Sequence, residues 1–246
     1  PLEQQMGFEA KPVKVSGIQT ELDFFTNELS RFREMNFPNK AQALDAGNLP
    51  TALEPFMRKE MKALLRDLSF PTPGRVRGRQ LQPKGILLRF STAGVYLPWT
   101  GECHIDAGLH PLQKPFVMAH ELAHGYGFTD EGSCNFLAFL ACIQSDHTFV
   151  KYSGYLNYWR YLAGAYRSYY PEEYTGFREN LPKGVQNDLN EINAYMARYP
   201  DWIPELRYVA YETYLKAQGI DEGMENYNRV IMLVTAWRAG LPDWPY

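Results

Sequence analysis

The chain has 246 residues, of which 45% are hydrophobic and 22% charged, so it can bury a folded core and is too apolar for a disordered chain. Lysine and arginine number 25 and aspartate and glutamate 28, a formal net charge of −3, so no basic excess indicates nucleic acid as a partner. The longest uninterrupted apolar run, residues 136–143, is far shorter than the roughly 20 residues that cross a bilayer. The sequence therefore predicts a globular chain that is soluble as given.

Two amphipathic helices are predicted at the start of the chain. Ser16 and Gln19 have the spacing of a capping box, and apolar residues then recur every three or four positions. Thr51 and Glu54 repeat the pattern before a second apolar stripe. Because prolines and a glycine then end the helical pattern, residues 1–74 are predicted to form an N-terminal helical segment that packs on the rest of the chain.

A small antiparallel sheet is predicted next. Residues 85–90, 94–98 and 102–106 are short, β-prone and separated by turn residues. Pro98 cannot donate a hydrogen bond to a neighbouring strand, so its strand lies at an edge of the sheet or ends there.

From residue 115 the sequence is typical of helices almost to its end. The predicted helices, separated mainly by prolines, span residues 115–126, 130–146, 153–169, 185–198, 203–217 and 224–238. The predicted fold class is therefore α+β, mainly helical, with the small antiparallel sheet before the first of these helices. We expect residues 75–246 to be continuous with the N-terminal segment in one globular unit.

The first of these helices contains the sequence His120-Glu121-Leu-Ala-His124, an H-E-x-x-H motif in apolar surroundings. Residues four apart share one helix face, so His120 and His124 can offer imidazole nitrogens to one metal ion. Glu121 then projects beside the open coordination position, where a hydrolytic enzyme needs a general base. The motif predicts a zinc site on this helix.

A catalytic zinc ion has three protein ligands, and two neighbouring carboxylates compete for the third position. His124, Gly127 and Asp130 match H-x-x-G-x-x-D, an aspartate version of the metzincin spacing. Alternatively, Asp130 caps the next helix and Glu131 binds the metal. Asn135, one turn later, would then form a hydrogen bond that orients a histidine ligand. The spacing alone leaves both possibilities open.

The run HELAHGYGFTDEGSCNFLAFLA, residues 120–141, resembles gluzincin-type zinc peptidases and, more specifically, a family of bacterial membrane-attached proteins known as a domain of unknown function, DUF3810. The resemblance covers roughly residues 85–238 and is most specific over 120–136. It implies one Zn²⁺ ion whose ligands are His120, His124 and Glu131, with Asn135 as the hydrogen-bonding partner of a ligand. It also implies that a transmembrane segment precedes Pro1 in the full protein.

The same resemblance points to further residues of the site. Tyr227 and Arg229 are candidates to donate hydrogen bonds to the oxyanion of the tetrahedral intermediate, and Tyr152 is a third candidate. Beside the metal helix, Tyr96 and Trp99 are candidate substrate-binding residues, because an extended peptide can pair with an exposed sheet edge. A buried core position is the alternative for Trp99.

Together these features predict a zinc-dependent metallopeptidase, most simply an endopeptidase, in which a zinc-bound water attacks a peptide or protein substrate with Glu121 as general base. One alternative is a zinc-containing sensor or binding domain of a membrane signalling protein. Another is a zinc amidase that acts on cell-wall material. We expect the domain to be associated with a bacterial membrane, outside the cytoplasm, through segments absent from this chain.

Overall fold

The computed structural model describes residues 1–202 and 225–241, with side chains from residue 229 onward in the second range. The helices in these ranges are α1 (Leu2–Gln5), α2 (Val15–Asn36), α3 (Leu53–Asp67), α4 (Lys114–Gly125), α5 (Glu131–Ile143), α6 (Thr148–Tyr169), α7 (Pro171–Glu179), α8 (Lys183–Ala197) and α9 (Glu225–Ala239). The strands are β1 (Arg77–Leu81), β2 (Gly94–Leu97) and β3 (Glu102–Asp106). The protein is therefore mainly helical with one small sheet, and the α+β prediction is confirmed.

Most predicted helices are present with shifted ends. The largest shift is in α6, which begins at Thr148 rather than residue 153. The helix predicted over 203–217 lies outside the described residues. Helix α7 was not predicted, because Pro171 indicated a break; proline is in fact well tolerated at the first position of a helix, where its missing N–H has no intrahelical partner.

The sheet differs from the antiparallel arrangement that the sequence predicts. Its strand order is β1-β3-β2, with β1 parallel and β2 antiparallel to β3, so the sheet is mixed. Residues 85–90 do not form a strand, because the buried carboxylate of Asp106 accepts hydrogen bonds from the N–H groups of Gly85 (2.6 Å) and Leu87 (2.7 Å) and holds the segment in a turn. The third strand of the sheet is instead β1, which lies in the basic segment before residue 85. The prediction that the strand before Pro98 lies at an edge or ends there is confirmed, since β2 is an edge strand among the described residues and ends at Leu97.

Helix α5 lies at the centre of the protein. Every residue from 132 to 143 is buried, and α5 packs against α3, α4, α6 and α9. Helix α4 packs on α5 and also on the sheet, while α2 packs along α6. The helix that begins with Glu131 is thus anchored in the core along nearly its whole length.

Tyr152 belongs to a buried polar network. Its hydroxyl donates to Asp188 Oδ2 (2.7 Å), which also accepts from Arg33 Nε (2.8 Å). Asp188 Oδ1 accepts from the backbone N–H of Leu44 (2.8 Å). Because Tyr152 is fully buried and already bonded, its prediction as an oxyanion donor is wrong.

Among the helices of the described ranges, none has both the length and the apolar character needed to cross a membrane.

Candidate metal centre

Helices α4 and α5 present the motif residues to each other across a short connection. Gly127 has a φ of 101°, a left-handed conformation that favours glycine, and it turns the chain directly after α4. Asp130 then caps α5, since its Oδ2 accepts from the backbone N–H of Ser133 (2.7 Å). Glu131 is therefore the first residue of α5, and its carboxylate reaches the two histidines of α4.

Three side chains converge at this point. Glu131 Oε2 lies 3.1 Å from His120 Nε2, and Glu131 Oε1 lies 3.4 Å from His124 Nε2. The two Nε2 atoms are 3.1 Å apart. One ligand atom from each side chain lies within 4.8 Å of the others, so the group could hold a metal ion.

Hydrogen bonds fix both imidazole rings. His120 Nδ1 lies 2.8 Å from Asn135 Oδ1, and His124 Nδ1 lies 2.9 Å from the backbone oxygen of Phe128. Both partners are acceptors, so each Nδ1 carries the proton and each Nε2 presents a lone pair toward Glu131. Asn135 Oδ1 also accepts from the Tyr161 hydroxyl at 2.9 Å. Asn135 thus occupies the predicted place behind a histidine.

The chemistry of this donor set fits a cation. Two nitrogen lone pairs and a carboxylate repel one another at these distances unless a positive charge lies between them. Burial raises the pKa of Glu131, but His120 and His124, in the forms protonated at both ring nitrogens, outweigh it and hold that pKa well below its usual range, so positive charge at this point stabilises the carboxylate. Imidazole nitrogens and carboxylate oxygens are the ligands of many hydrolytic zinc sites.

Asp130, the alternative third ligand, is engaged elsewhere. Besides capping α5, its Oδ2 accepts from Arg229 Nε at 2.7 Å. Burial raises the pKa of Asp130, but the hydrogen bonds from Ser133 and Arg229 lower it overall. The structure brings Glu131, not Asp130, to the two histidines.

Glu121 lies beside this group and is packed against β2. Its side chain is buried, and a Cβ atom built on Gly94 would lie only 2.4 Å from Glu121 Oε1. Burial raises the pKa of Glu121 to about 7, while His120 and His124 lower it in part. Position 94 therefore needs glycine, because any Cβ atom there would lie too close to the Glu121 carboxylate.

The candidate site opens into a pocket of about 430 Å³. One wall is the segment of residues 91–94 that leads into β2, and α4 and α5 supply His120, Glu121, Glu131 and Asn135. Helix α6 supplies a further wall, formed by Asn157, Arg160, Tyr161 and Gly164. No motif indicated this contribution of α6, which comes from residues spaced three or four apart on a helix that the sequence marks only as apolar and aromatic.

The predicted substrate-binding residues do not line this pocket. Tyr96 is partly buried and packs against the hydrophobic core. Trp99, in the turn after β2, is 92% exposed, so it is neither a pocket wall nor a core residue. The segment before Tyr96 lines the pocket instead, because α4 crosses the sheet near Gly94.

The two predicted oxyanion donors lie on α9. Arg229 extends over Gly132 and pairs with Asp130 and with Glu3 (3.2 Å), and it does not line the pocket. Arg229 therefore contacts the start of α5 and does not have an open position in the pocket. The backbone of Tyr227 belongs to α9, but its side chain lies outside the described residues.

Fold and site together define a mainly helical α+β protein with a group of two histidines and one glutamate, beside a pocket, that could bind a metal ion. The family model described as "Protein of unknown function (DUF3810)" matches residues 1–235. Since this match spans well over half of the chain, the chain belongs to that family. The match also includes the N-terminal helices, which lie before the region of resemblance expected from the motifs. No curated protein and no solved structure matches the chain.

Proposed function

We propose that this chain is a zinc-dependent metallopeptidase with a zincin-like site. One observation carries the proposal: the donor atoms of His120, His124 and Glu131 converge, and two of these residues, His120 and Glu131, line a pocket together with the buried Glu121. In a purely structural metal site, protein ligands fill every coordination position, so a further carboxylate beside the metal has no task. A hydrolytic site requires one as a general base.

Each side chain of the site has a distinct task. His120, His124 and Glu131 would hold the metal, with Asn135 and the Phe128 carbonyl orienting the imidazoles. When bound, zinc supplies the Lewis acidity that activates water near neutral pH and polarises a peptide carbonyl. Glu121 accepts a proton from the attacking water at its carboxylate and later delivers that proton to the leaving amine nitrogen.

The edge of β2 supplies a place for an extended peptide. The N–H of Asp106 donates to the Ala93 carbonyl (2.9 Å), and hydrogen-bonded pairs alternate along an antiparallel ladder. The backbone groups of Gly94 and Tyr96 therefore point away from β3, toward an edge that no other described strand covers. Backbone pairing along this edge would carry a substrate past Glu121, which favours an endopeptidase that binds chain on both sides of the scissile bond.

The first prediction separates metal binding from catalysis. Glu121→Gln keeps the shape of the side chain and leaves the three ligands in place, so the protein should bind zinc in the same ratio as the wild type. Loss of the general base should lower kcat/KM by about 10²- to 10⁴-fold. Zinc is measured by elemental mass spectrometry, and cleavage is measured on an unfolded protein and a peptide library.

Glu102→Gln is the matched control, because it removes a carboxylate that pairs with Arg79 outside the pocket (2.9 Å). This variant should cleave like the wild type. Cleavage that survives Glu121→Gln would contradict the mechanism. A wild-type protein that binds zinc but cleaves neither substrate would favour a sensor or binding domain, and mass spectrometry of products from cell-wall material would identify an amidase.

A further inference from the structure

The α6 wall of the pocket carries a positive charge that the proposed reaction does not use. Asn157, Arg160, Tyr161 and Gly164 are three or four residues apart, so they share the helix face that borders the pocket. Tyr161 is bonded to Asn135 and so belongs to the support of the metal ligands. Arg160 has no such task.

Arg160 is oriented but not neutralised. Its Nη1 donates to Asn157 Oδ1 at 3.3 Å, and Asn157 is itself held by bonds from its Nδ2 to the carbonyls of Leu112 (3.0 Å) and Ser153 (2.8 Å). In the ranges that the structure describes, no carboxylate pairs with Arg160. A guanidinium has five N–H donors, so most of them remain available to a ligand in the pocket.

Arg160 is a cation in the wall of the pocket. Burial lowers the pKa of Arg160, as expected for a partly desolvated cation without a carboxylate partner. An uncompensated cation in a partly buried site favours an anionic ligand.

Gly164 leaves space one helical turn beyond Arg160. A Cβ atom built on Gly164 would meet no atom within 4 Å, and the residue is exposed at the pocket wall. Arg160 and Gly164 therefore both border the open volume of the pocket.

We propose that Arg160 binds a carboxylate of the peptide substrate and is a specificity-determining residue. The inference rests on the proposed function, because that reaction is what brings a peptide into the pocket. The planar guanidinium matches the two oxygens of a carboxylate, which gives geometric as well as electrostatic selectivity. Within a peptide, such a carboxylate is either an aspartate or glutamate side chain near the scissile bond or the free C-terminus.

Four versions of one octapeptide test the inference. They carry either glutamate or glutamine beyond the scissile bond and either a free or an amidated C-terminus. The wild-type protein should show about 10- to 100-fold higher kcat/KM for a version with the recognised carboxylate than for its neutral match. A glutamate preference identifies a side chain as the ligand, and a preference for the free acid identifies the C-terminus.

Arg160→Gln should bring this ratio of kcat/KM close to one. Arg160→Lys should preserve part of the ratio, because lysine keeps the positive charge but lacks the planar pair of N–H donors that matches a carboxylate. Arg167→Gln is the control, since Arg167 lies on the same helix with an exposed side chain outside the pocket. It should keep the full ratio. Peptide cleavage without carboxylate preference, or with a preference that survives Arg160→Gln, would overturn the inference and leave the proposed function intact.

Binding provides a readout that does not depend on turnover. In zinc-loaded Glu121→Gln protein, fluorescence anisotropy of the four labelled peptides should show the same preference, and adding Arg160→Gln should abolish it. If wild-type protein cleaves none of the peptides but this binding preference is present, the carboxylate site stands and the peptidase proposal fails. If no peptide binds with a preference, the inference is wrong.

Discussion

At the scale of single residues, the site depends on how closely Gly94 approaches Glu121. A Cβ on residue 94 would lie 2.4 Å from Glu121 Oε1 and 2.8 Å from Cδ, so Gly94→Ala must displace the carboxylate. We expect this variant to bind zinc normally but to lose about 10- to 100-fold in kcat/KM, because small misplacements of a catalytic group are costly. Elemental analysis and peptide cleavage together measure the two effects.

Gly176→Ala is the control for this substitution, since a Cβ atom there meets nothing within 4 Å. It should leave kcat/KM unchanged. Full activity of Gly94→Ala would mean that Glu121 does not need its present position, and it would count against its role as general base.

The residues that the sequence predicted well are close together in the chain. His120 and His124 share one helix face, and Glu131 and Asn135 share a face of the next helix, so local helical periodicity and one cap position bring them together. Trp99 and Arg229 were misjudged because their surroundings depend on contacts distant in sequence. Trp99 points into solvent from a turn, and Arg229 reaches Glu3 at the opposite end of the chain.

At the scale of secondary structure, Asp130 and Glu131 divide two tasks at the start of α5. If Asp130 is a cap, Asp130→Asn should retain zinc and most of the stability, because asparagine caps helices about as well as aspartate. Asp130→Ala should lower the free energy of unfolding by about 1 to 2 kcal/mol. Chemical denaturation measures stability, and elemental analysis measures the zinc content.

Glu131→Gln is the matched comparison, since it changes the neighbouring carboxylate in the same conservative way. It should lose zinc, with little effect on the helix cap. If Asp130→Asn lost the metal and Glu131→Gln kept it, Asp130 would be the ligand and the site would follow the metzincin spacing.

The elements that sequence reasoning missed are those defined by partners rather than by local pattern. Strand β1 has few apolar residues and exists because it pairs in parallel with β3 across a long connection. Residues 85–90 have β-prone side chains, yet the buried carboxylate of Asp106 holds them in a turn. The sequence did not predict which face of α6 lines the pocket for the same reason, since neither Arg160 nor Gly164 belongs to any motif.

At the scale of the whole molecule, the candidate metal centre is a small part of what holds the fold together. It connects only α4 and the first residue of α5, whereas the hydrophobic core extends from α1 through α9. Burial of apolar surface is the dominant stabilising contribution in a protein of this size. We therefore expect the protein without metal to remain folded, unlike small domains whose folding depends on zinc.

Removal of the metal should then lower thermal stability without unfolding the protein. A ligand at a hundredfold excess over its Kd stabilises the native state by about 2.7 kcal/mol, which corresponds to a Tm difference of about 5 to 10 °C for a chain of this length. Circular dichroism after chelation should show an unchanged helical spectrum at low temperature, a lower Tm, and recovery of both Tm and peptide cleavage when zinc is returned. Glu131→Gln protein should melt at the same temperature with and without zinc, because it lacks a ligand. An equal zinc-dependent shift in that variant would place the stabilising metal at another site.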